Sequence, residues 1–255
     1  MSAFPPSWRD DFLAALGFFT RLPVGPVLTE PMPSLAASSW AFPLVGVAVG
    51  LIGGLAFAIA LMLGLPVIAG ALIAVGATAL VTGGLHEDGL ADCADGFGGG
   101  ATRDDKLLIM RDSRIGVYGV LVLVFSIALR VVAVSALADG WHVLGALIAA
   151  HALSRGFLPV AMQMMAPARD NGLGAGAGKP ESSVVWSAAG IAIVIALIAI
   201  GFRPGLSAVI ASGVTMVAMG FVAQRQIGGQ TGDVLGAIEQ CGEVATLLTV
   251  AAWAS

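Results

Sequence analysis

Residues 66–85 read PVIAGALIAVGATALVTGGL, and His86 then leads into Glu87-Asp88-Gly89-Leu90-Ala91-Asp92-Cys93-Ala94-Asp95-Gly96. The first stretch carries no charge over about 20 residues, the length a helix needs to cross the hydrocarbon core of a bilayer. The second sets four carboxylates at the end of that run. Carboxylates are costly beside hydrocarbon, so a cluster kept there marks a working site. At about 100° per residue on a helix, Asp88, Asp92 and Asp95 fall within an arc of roughly 60°, with Glu87 at its edge. Like charges on one face repel unless a cation sits among them. Oxygen-only ligands favour Mg²⁺ or Mn²⁺ over zinc, so Glu87, Asp88, Asp92 and Asp95 are the candidate metal ligands.

The rest of the chain fits a membrane protein. Of 255 residues, 58% are hydrophobic and 11% charged, and the mean hydropathy is +0.94. Soluble domains carry about 25% charged residues, so composition alone implies a polytopic integral membrane protein of the all-α class. Candidate spans are Trp40–Gly64, Pro66–Leu85, Gly116–Leu137, His142–Ala166, Val184–Gly201 and Gly205–Gln224. A weaker seventh, Leu235–Ala254, carries Glu239 and Glu243. Six to seven transmembrane helices in one membrane-embedded catalytic domain, residues 1–255, are therefore expected. Gly46, Gly50 and Gly54 recur every fourth residue in the first span, a spacing that suits close helix packing in lipid.

Lys and Arg between spans set orientation. Nine of them (Arg9, Arg21, Arg103, Lys106, Arg111, Arg114, Arg169, Lys179 and Arg225) fall on one side if all six spans cross, against Arg203 alone on the other. The acidic motif and the N-terminus are thus expected to face the cytoplasm. Residues 1–39 form a cytoplasmic or interfacial segment, with Trp8, Phe12, Leu16 and Phe19 at helical spacing; it reads either as an amphipathic surface helix or as an ordinary packed one. Its start lacks the basic and apolar regions of a cleaved signal peptide. Cys93 and Cys241 both fall near the cytoplasmic side, so no disulfide is expected. The net charge of −4 comes largely from the acidic clusters, and no basic stripe interleaved with aromatics suggests nucleic acid.

Directly after the carboxylates come Gly96, Gly98, Gly99 and Gly100, then Arg103, Lys106, Arg111, Asp112, Ser113 and Arg114. An acidic metal-binding face followed by a glycine-rich basic loop fits a diphosphate substrate: metal bridges phosphate oxygens, backbone N–H groups approach where side chains are absent, and arginine binds as a fork. A second polar station runs from Gly228-Gly229-Gln230-Thr231-Gly232-Asp233 to Glu239 and Glu243, which are four apart on one helix face. Within the fourth span, Arg155 requires a polar cavity or an acid, for which Asp92 and Glu243 are candidates. Arg130 lies nearer the outer end of its span and is expected to snorkel. His86 is a secondary candidate beside the acids. No nucleophilic triad is apparent, which leaves metal-positioned phosphoryl transfer.

These motifs resemble the cobalamin synthase family, the adenosylcobinamide-GDP ribazoletransferases. The matching segments are Phe18-Phe19-Thr20-Arg21-Leu22-Pro23, Glu87 to Gly96, Ile109-Met110-Arg111-Asp112-Ser113-Arg114-Ile115-Gly116-Val117-Tyr118-Gly119, Leu153-Ser154-Arg155 and Gly228 to Ala237, spread in order over nearly the whole chain. The resemblance implies a late step of vitamin B12 synthesis, in which α-ribazole or its 5′-phosphate is joined to adenosylcobinamide-GDP with release of GMP. On that basis Asp92, Asp95, Arg111 and Arg114 are expected to be catalytic, Asp95 as the base. Arg21, Ser113, Arg155, Thr231, Asp233 and Glu243 are expected to bind substrate, with Mg²⁺ as cofactor and the lipid bilayer as surroundings. A homo-oligomer is compatible with all of this. Two rivals are a CDP-alcohol phosphotransferase, disfavoured because Ala91 is followed by Asp92 where that signature has Arg, and a transporter using Arg155, Glu239 and Glu243 as a relay.

Overall fold

The computed structural model describes residues 8–24, 33–137, 139–169, 172 and 176–254. Residues 1–7 and 25–32 of the N-terminal segment, and residues 138, 170, 171, 173–175 and 255, lie outside them. The described chain is helical, with a lone β-bridge between Pro167 and Gln230 and no strand among the described residues. Its elements are α1 (Trp8–Phe19), α2 (Leu35–Ser38), α3 (Phe42–Met62), α4 (Val67–Thr82), α5 (Leu85–Gly99), α6 (Arg103–Ile109), α7 (Val117–Leu137), α8 (Gly140–Gly156), α9 (Leu158–Met164), α10 (Ser182–Ile200), α11 (Phe202–Ile227) and α12 (Gly232–Ala254).

Six stretches are long and apolar enough to cross a membrane: Leu35–Met62, Val117–Leu137, Gly140–Met164, Ser182–Ile200, Phe202–Ile227 and Gly232–Ala254. The weak seventh candidate is thus one of the six, and it starts a few residues earlier than its hydropathy suggests. The expected straight span Pro66–Leu85 needs correction. Its helix ends at Thr82, because Gly83 and Gly84 both adopt φ of +69°, a left-handed conformation open to glycine. The chain then turns by 90° into α5, and a seventh crossing exists only if this bent pair counts as one span.

α8 is the central helix. Over its most apolar 18 residues, 83% of the Gly140–Met164 stretch is buried inside the protein, against 17% for the same length of Phe202–Ile227. It packs against α3, α10 and α12, while α12 also meets α5, α7 and α11. The glycine register works as expected: Gly46, Gly50 and Gly54 all face α8, and a Cβ on Gly50 would stand 2.6 Å from the Ile148 Cα. A Cβ on Gly46 would collide with the carbonyl of His151. The obstacle there is backbone, which cannot swing aside, so Gly46→Val is expected to lower the thermal transition of the detergent-solubilised protein by several degrees or to abolish its folded peak on gel filtration.

α1 takes the packed option. Ala14, Ala15, Leu16 and Phe19 are buried against α3 and its lead-in, and Asp11 accepts hydrogen bonds from Trp40 Nε1 (3.0 Å) and Ser38 Oγ (3.3 Å). Charged loops gather at one end of the bundle. The opposite end, where α7, α8, α10, α11 and α12 begin or stop, holds an apolar depression between Trp141 and Trp253.

Candidate functional site

At the charged end, α5 crosses α12 so closely that a side chain on Gly89 would touch the Asp233 backbone, with a Cβ 3.0 Å from the Asp233 Cα. On the other side of the contact, a Cβ on Gly236 would sit 3.3 Å from the Cα atoms of Gly89 and His86. This crossing aims the outward face of α5 into an open cleft of about 670 Å³. Its lining brings Asp88, Asp92 and Asp112 together with Arg21, Arg111, Ser113 and Arg114, the glycines Gly83 and Gly84, and apolar side chains such as Met110 and Leu123. Neither Asp88 nor Asp92 takes part in an ion pair among the described residues. Asp92 is subject to partial burial and to the like charges of Asp88, Asp233 and Asp95, set against the opposing charge of Arg169, and Asp233 is subject to burial and to the opposing charges of Arg169 and Arg111. Two unpaired carboxylates in mutual repulsion, offering only oxygen, suit a hard divalent cation.

The basic side of the cleft is built from short-range contacts. Arg21 donates its backbone N–H to Val81 (2.7 Å), and its guanidinium lies over Gly83, where no side chain obstructs it. Arg114 forks onto Asp112, with NH2 2.6 Å from Oδ2 and Nε 3.0 Å from Oδ1. Hydrogen bonds from the Arg114 side chain and backbone hold the Asp112 carboxyl down at about 2, so it stays ionised at any working pH. Arg103 and Lys106, from the same stretch, join helices. Arg103 donates to the carbonyls of Ile227 (2.9 Å) and Ala168, and Lys106 donates to Gln226 (2.5 Å), which ties α6 to the end of α11.

Two of the four expected metal ligands turn away from the cleft. Asp95 is buried, and its carboxylate accepts the backbone N–H groups of Gly116 (2.7 Å) and Gly119 (2.9 Å). It closes the otherwise unsatisfied first turn of α7, and both glycines are needed there because a Cβ at either would strike the carboxylate. The helical wheel places Asp95 in the same direction as Asp88 and Asp92, but one turn further along it meets another helix end instead of open space. With both oxygens engaged, it does not face the cleft as a base. Glu87 points inward and accepts from Arg130 at 3.0 Å.

Arg130 also requires correction: it does not snorkel. It is 1% exposed and donates to both Glu87 and Glu243 (3.2 Å). α7 packs on α5 and α12, which turns this face of the helix inward. Nor does Arg155 meet Asp92 or Glu243. It donates to Glu239, which also accepts from Ser154 (2.8 Å), and it contacts Nδ1 of His151 (3.0 Å) and of His86 (3.3 Å). Gln240 bridges Glu239 and Glu243. Arg155 and Glu243, expected at the substrate, therefore belong to a buried ionic network that clamps α5, α7, α8 and α12. His151, Glu239 and Glu243 offer ligand atoms within 4.8 Å of one another, but the two guanidinium groups already supply the positive charge there.

Thr231 is buried and accepts from the Val234 N–H (3.2 Å), capping α12, while donating to Asp233 (3.1 Å). Asp233 pairs with Arg169 at 3.4 Å and lines a second, smaller cavity, which also includes Asp88. Sequence reasoning did not assign a partner to Arg169 or find that cavity, whose walls come from six separate helices and so leave no local pattern. The two cysteines are free, as expected.

Fold and site together define a polytopic helical membrane protein whose cleft gathers carboxylates suited to a cation and arginines suited to an anion. The chain belongs to the cobalamin-5-phosphate synthase family, whose model matches residues 11–251. It is 46% identical over 243 residues to the adenosylcobinamide-GDP ribazoletransferase of Bradyrhizobium diazoefficiens, covering 95% of this chain and 94% of that one. The enzyme of the same name from Mesorhizobium japonicum is 46% identical over 246 residues, 96% and 93% of the two chains. That of Brucella ovis is 42% identical over 248 residues, 93% and 95%. No solved structure matches this chain significantly.

Proposed function

We propose that this chain is an adenosylcobinamide-GDP ribazoletransferase, joining α-ribazole or its 5′-phosphate to adenosylcobinamide-GDP and releasing GMP. The observation that carries the reading is the cleft itself, whose lining joins Asp88 and Asp92 with Arg21, Arg111, Ser113 and Arg114. A ribose hydroxyl of the acceptor attacks the phosphorus nearest the corrinoid, and the bond from that phosphorus to the oxygen bridging to GMP breaks. Arg111 and Arg114 neutralise the charge that collects on the departing GMP, and Arg21 holds the diphosphate against the Gly83-Gly84 backbone. Ser113 supplies a further hydrogen bond to a phosphate oxygen. Asp88, which borders both cavities, is the carboxylate placed to accept the attacking hydroxyl's proton.

Mg²⁺ is the proposed cofactor, held by Asp88 and Asp92 with Asp233 close by; the fit rests on their oxygen-only donor set and on the absence of ion pairing at the first two. When bound, it supplies charge neutralisation at the diphosphate. The nine-to-one distribution of basic residues supports a site on the cytoplasmic face of a bacterial inner membrane. The transporter alternative fits poorly, because Arg155, Glu239 and Glu243 are engaged with fixed partners inside the bundle.

The test is turnover by the purified protein in liposomes given adenosylcobinamide-GDP and α-ribazole, with corrinoid product and GMP both quantified. Equal amounts of the two products are expected, and EDTA should abolish them until Mg²⁺ is returned. GMP release without a joined corrinoid would refute the transferase reading, and undiminished turnover in EDTA would refute the metal.

A further inference from the structure

Arg169 does not line the cleft, yet its charge acts on Asp92 as well as on Asp233. Its Nη2 lies 3.4 Å from Oδ2 of Asp233, in the first turn of α12. Asp233 in turn meets α5 at Gly89, which stands between Asp88 and Asp92 in the chain, and it lines the smaller cavity together with Asp88. Three carboxylates thus gather where α5 crosses α12, with one arginine behind them. Arg111 also acts on Asp233, but it lines the cleft, where the diphosphate is its partner.

The main chain, more than Asp233, keeps Arg169 in place. Gln230 donates to the Ala166 carbonyl and Ala168 donates to the Gln230 carbonyl, both at 2.8 Å. Gly229 permits this approach, because a Cβ there would strike the Ala166 carbonyl. Arg103 closes the paired loops, with Nε donating to the Ile227 carbonyl (2.9 Å) and Nη2 to that of Ala168. Arg169 is the next residue along. Its contact with Asp233 is long for a charge-assisted hydrogen bond, and its Nη1 is buried without a partner among the described residues. A guanidinium fixed by its backbone and only loosely paired acts as a standing positive charge.

We propose that Arg169 is a positioning residue of the cation site, a fixed counter-charge that eases the repulsion among Asp88, Asp92 and Asp233 and loosens their grip on the metal. A cation that the protein neutralises less completely keeps more of its charge for the diphosphate oxygens. This inference rests on the metal-dependent transferase reading and adds to it the residue that sets the metal affinity.

The test is Mn²⁺ binding to the full-length protein in detergent without substrates, read by electron paramagnetic resonance at mildly alkaline pH, where the carboxylates are ionised. Mn²⁺ shares the preference of Mg²⁺ for oxygen ligands. Arg169→Gln is expected to tighten Mn²⁺ binding about three- to tenfold, the effect of one charge on a nearby divalent ion at a partly solvated site. Arg169→Lys keeps the charge and should bind as the wild type does. A residue that merely held the loops together would shift the affinity the other way, so weaker or unchanged binding by Arg169→Gln overturns the counter-charge. Gel filtration and the thermal transition establish that the variant is folded. Asp233→Asn gives a second reading: it leaves the Arg169 charge unopposed and should weaken Mn²⁺ binding about threefold or more, and unchanged binding would again overturn the proposal. A wild type that binds no Mn²⁺ refutes the metal along with this inference, whereas the wrong direction in the variants refutes the inference alone. Product formation by the wild type tests the transferase reading separately.

Discussion

Asp92→Asn is expected to lower turnover by about two orders of magnitude, the scale seen when one preorganised electrostatic contact to developing charge is removed. The substitution keeps the size of the side chain and removes its charge, so the fold should survive. Asp92 is half-buried, borders the cleft, and has no ion pair to lose. If its task is to hold a divalent cation, the loss should fall on kcat at saturating substrate and be partly relieved by raised Mg²⁺, with the apparent metal affinity weakened about tenfold or more. Turnover measured across a Mg²⁺ titration in liposomes reads both quantities. Near-normal activity at low Mg²⁺ would remove Asp92 from the metal site and with it the proposed chemistry of the cleft.

The second large effect concerns stability. Arg155→Leu leaves Glu239, which is fully buried, without its cation, and breaking a buried pair from one side costs about 3–5 kcal/mol. For this chain that is enough to scatter α8 from α12 and α5. The double variant Arg155→Leu/Glu239→Leu removes both charges and should recover most of the loss, because replacing a whole buried pair with apolar groups is close to neutral. Unfolding in a denaturing detergent, followed by circular dichroism for the single and double variants, makes the comparison. Single and double variants of equal stability would mean that the pair does not couple the helices. Neither residue lines the cleft, so the surviving folded fraction of each should bind adenosylcobinamide-GDP as the wild type does.

These two expectations divide the acidic residues into different tasks, which residue type alone does not do. Glu87, Asp88, Asp92 and Asp95 lie within nine residues of one helix. Asp88 and Asp92 open onto the cleft, Asp95 closes the first turn of α7, and Glu87 neutralises Arg130. The direction of each side chain around α5 follows from helical periodicity. What each one meets depends on the elements that happen to pass that point on the helix axis.

Several features were legible along the chain because they answer to the solvent. The apolar runs, the all-α class and the number of spans follow from the need to satisfy every backbone polar group inside a bilayer. The glycines at 46, 50 and 54 follow from helix repeat, and the requirement that Arg155 find an acid follows from the cost of a charge in the interior. That the arginines share a cleft with the acidic motif was legible because they are adjacent in sequence. The tertiary structure alone decided that Glu239 and not Glu243 answers Arg155, that Arg130 is buried, and that α4 breaks at 90° into α5. It alone brought aromatic side chains from α1 and α3 around His86. These are contacts between residues far apart in the chain, and local sequence carries the demand for a partner without saying which helix will supply it.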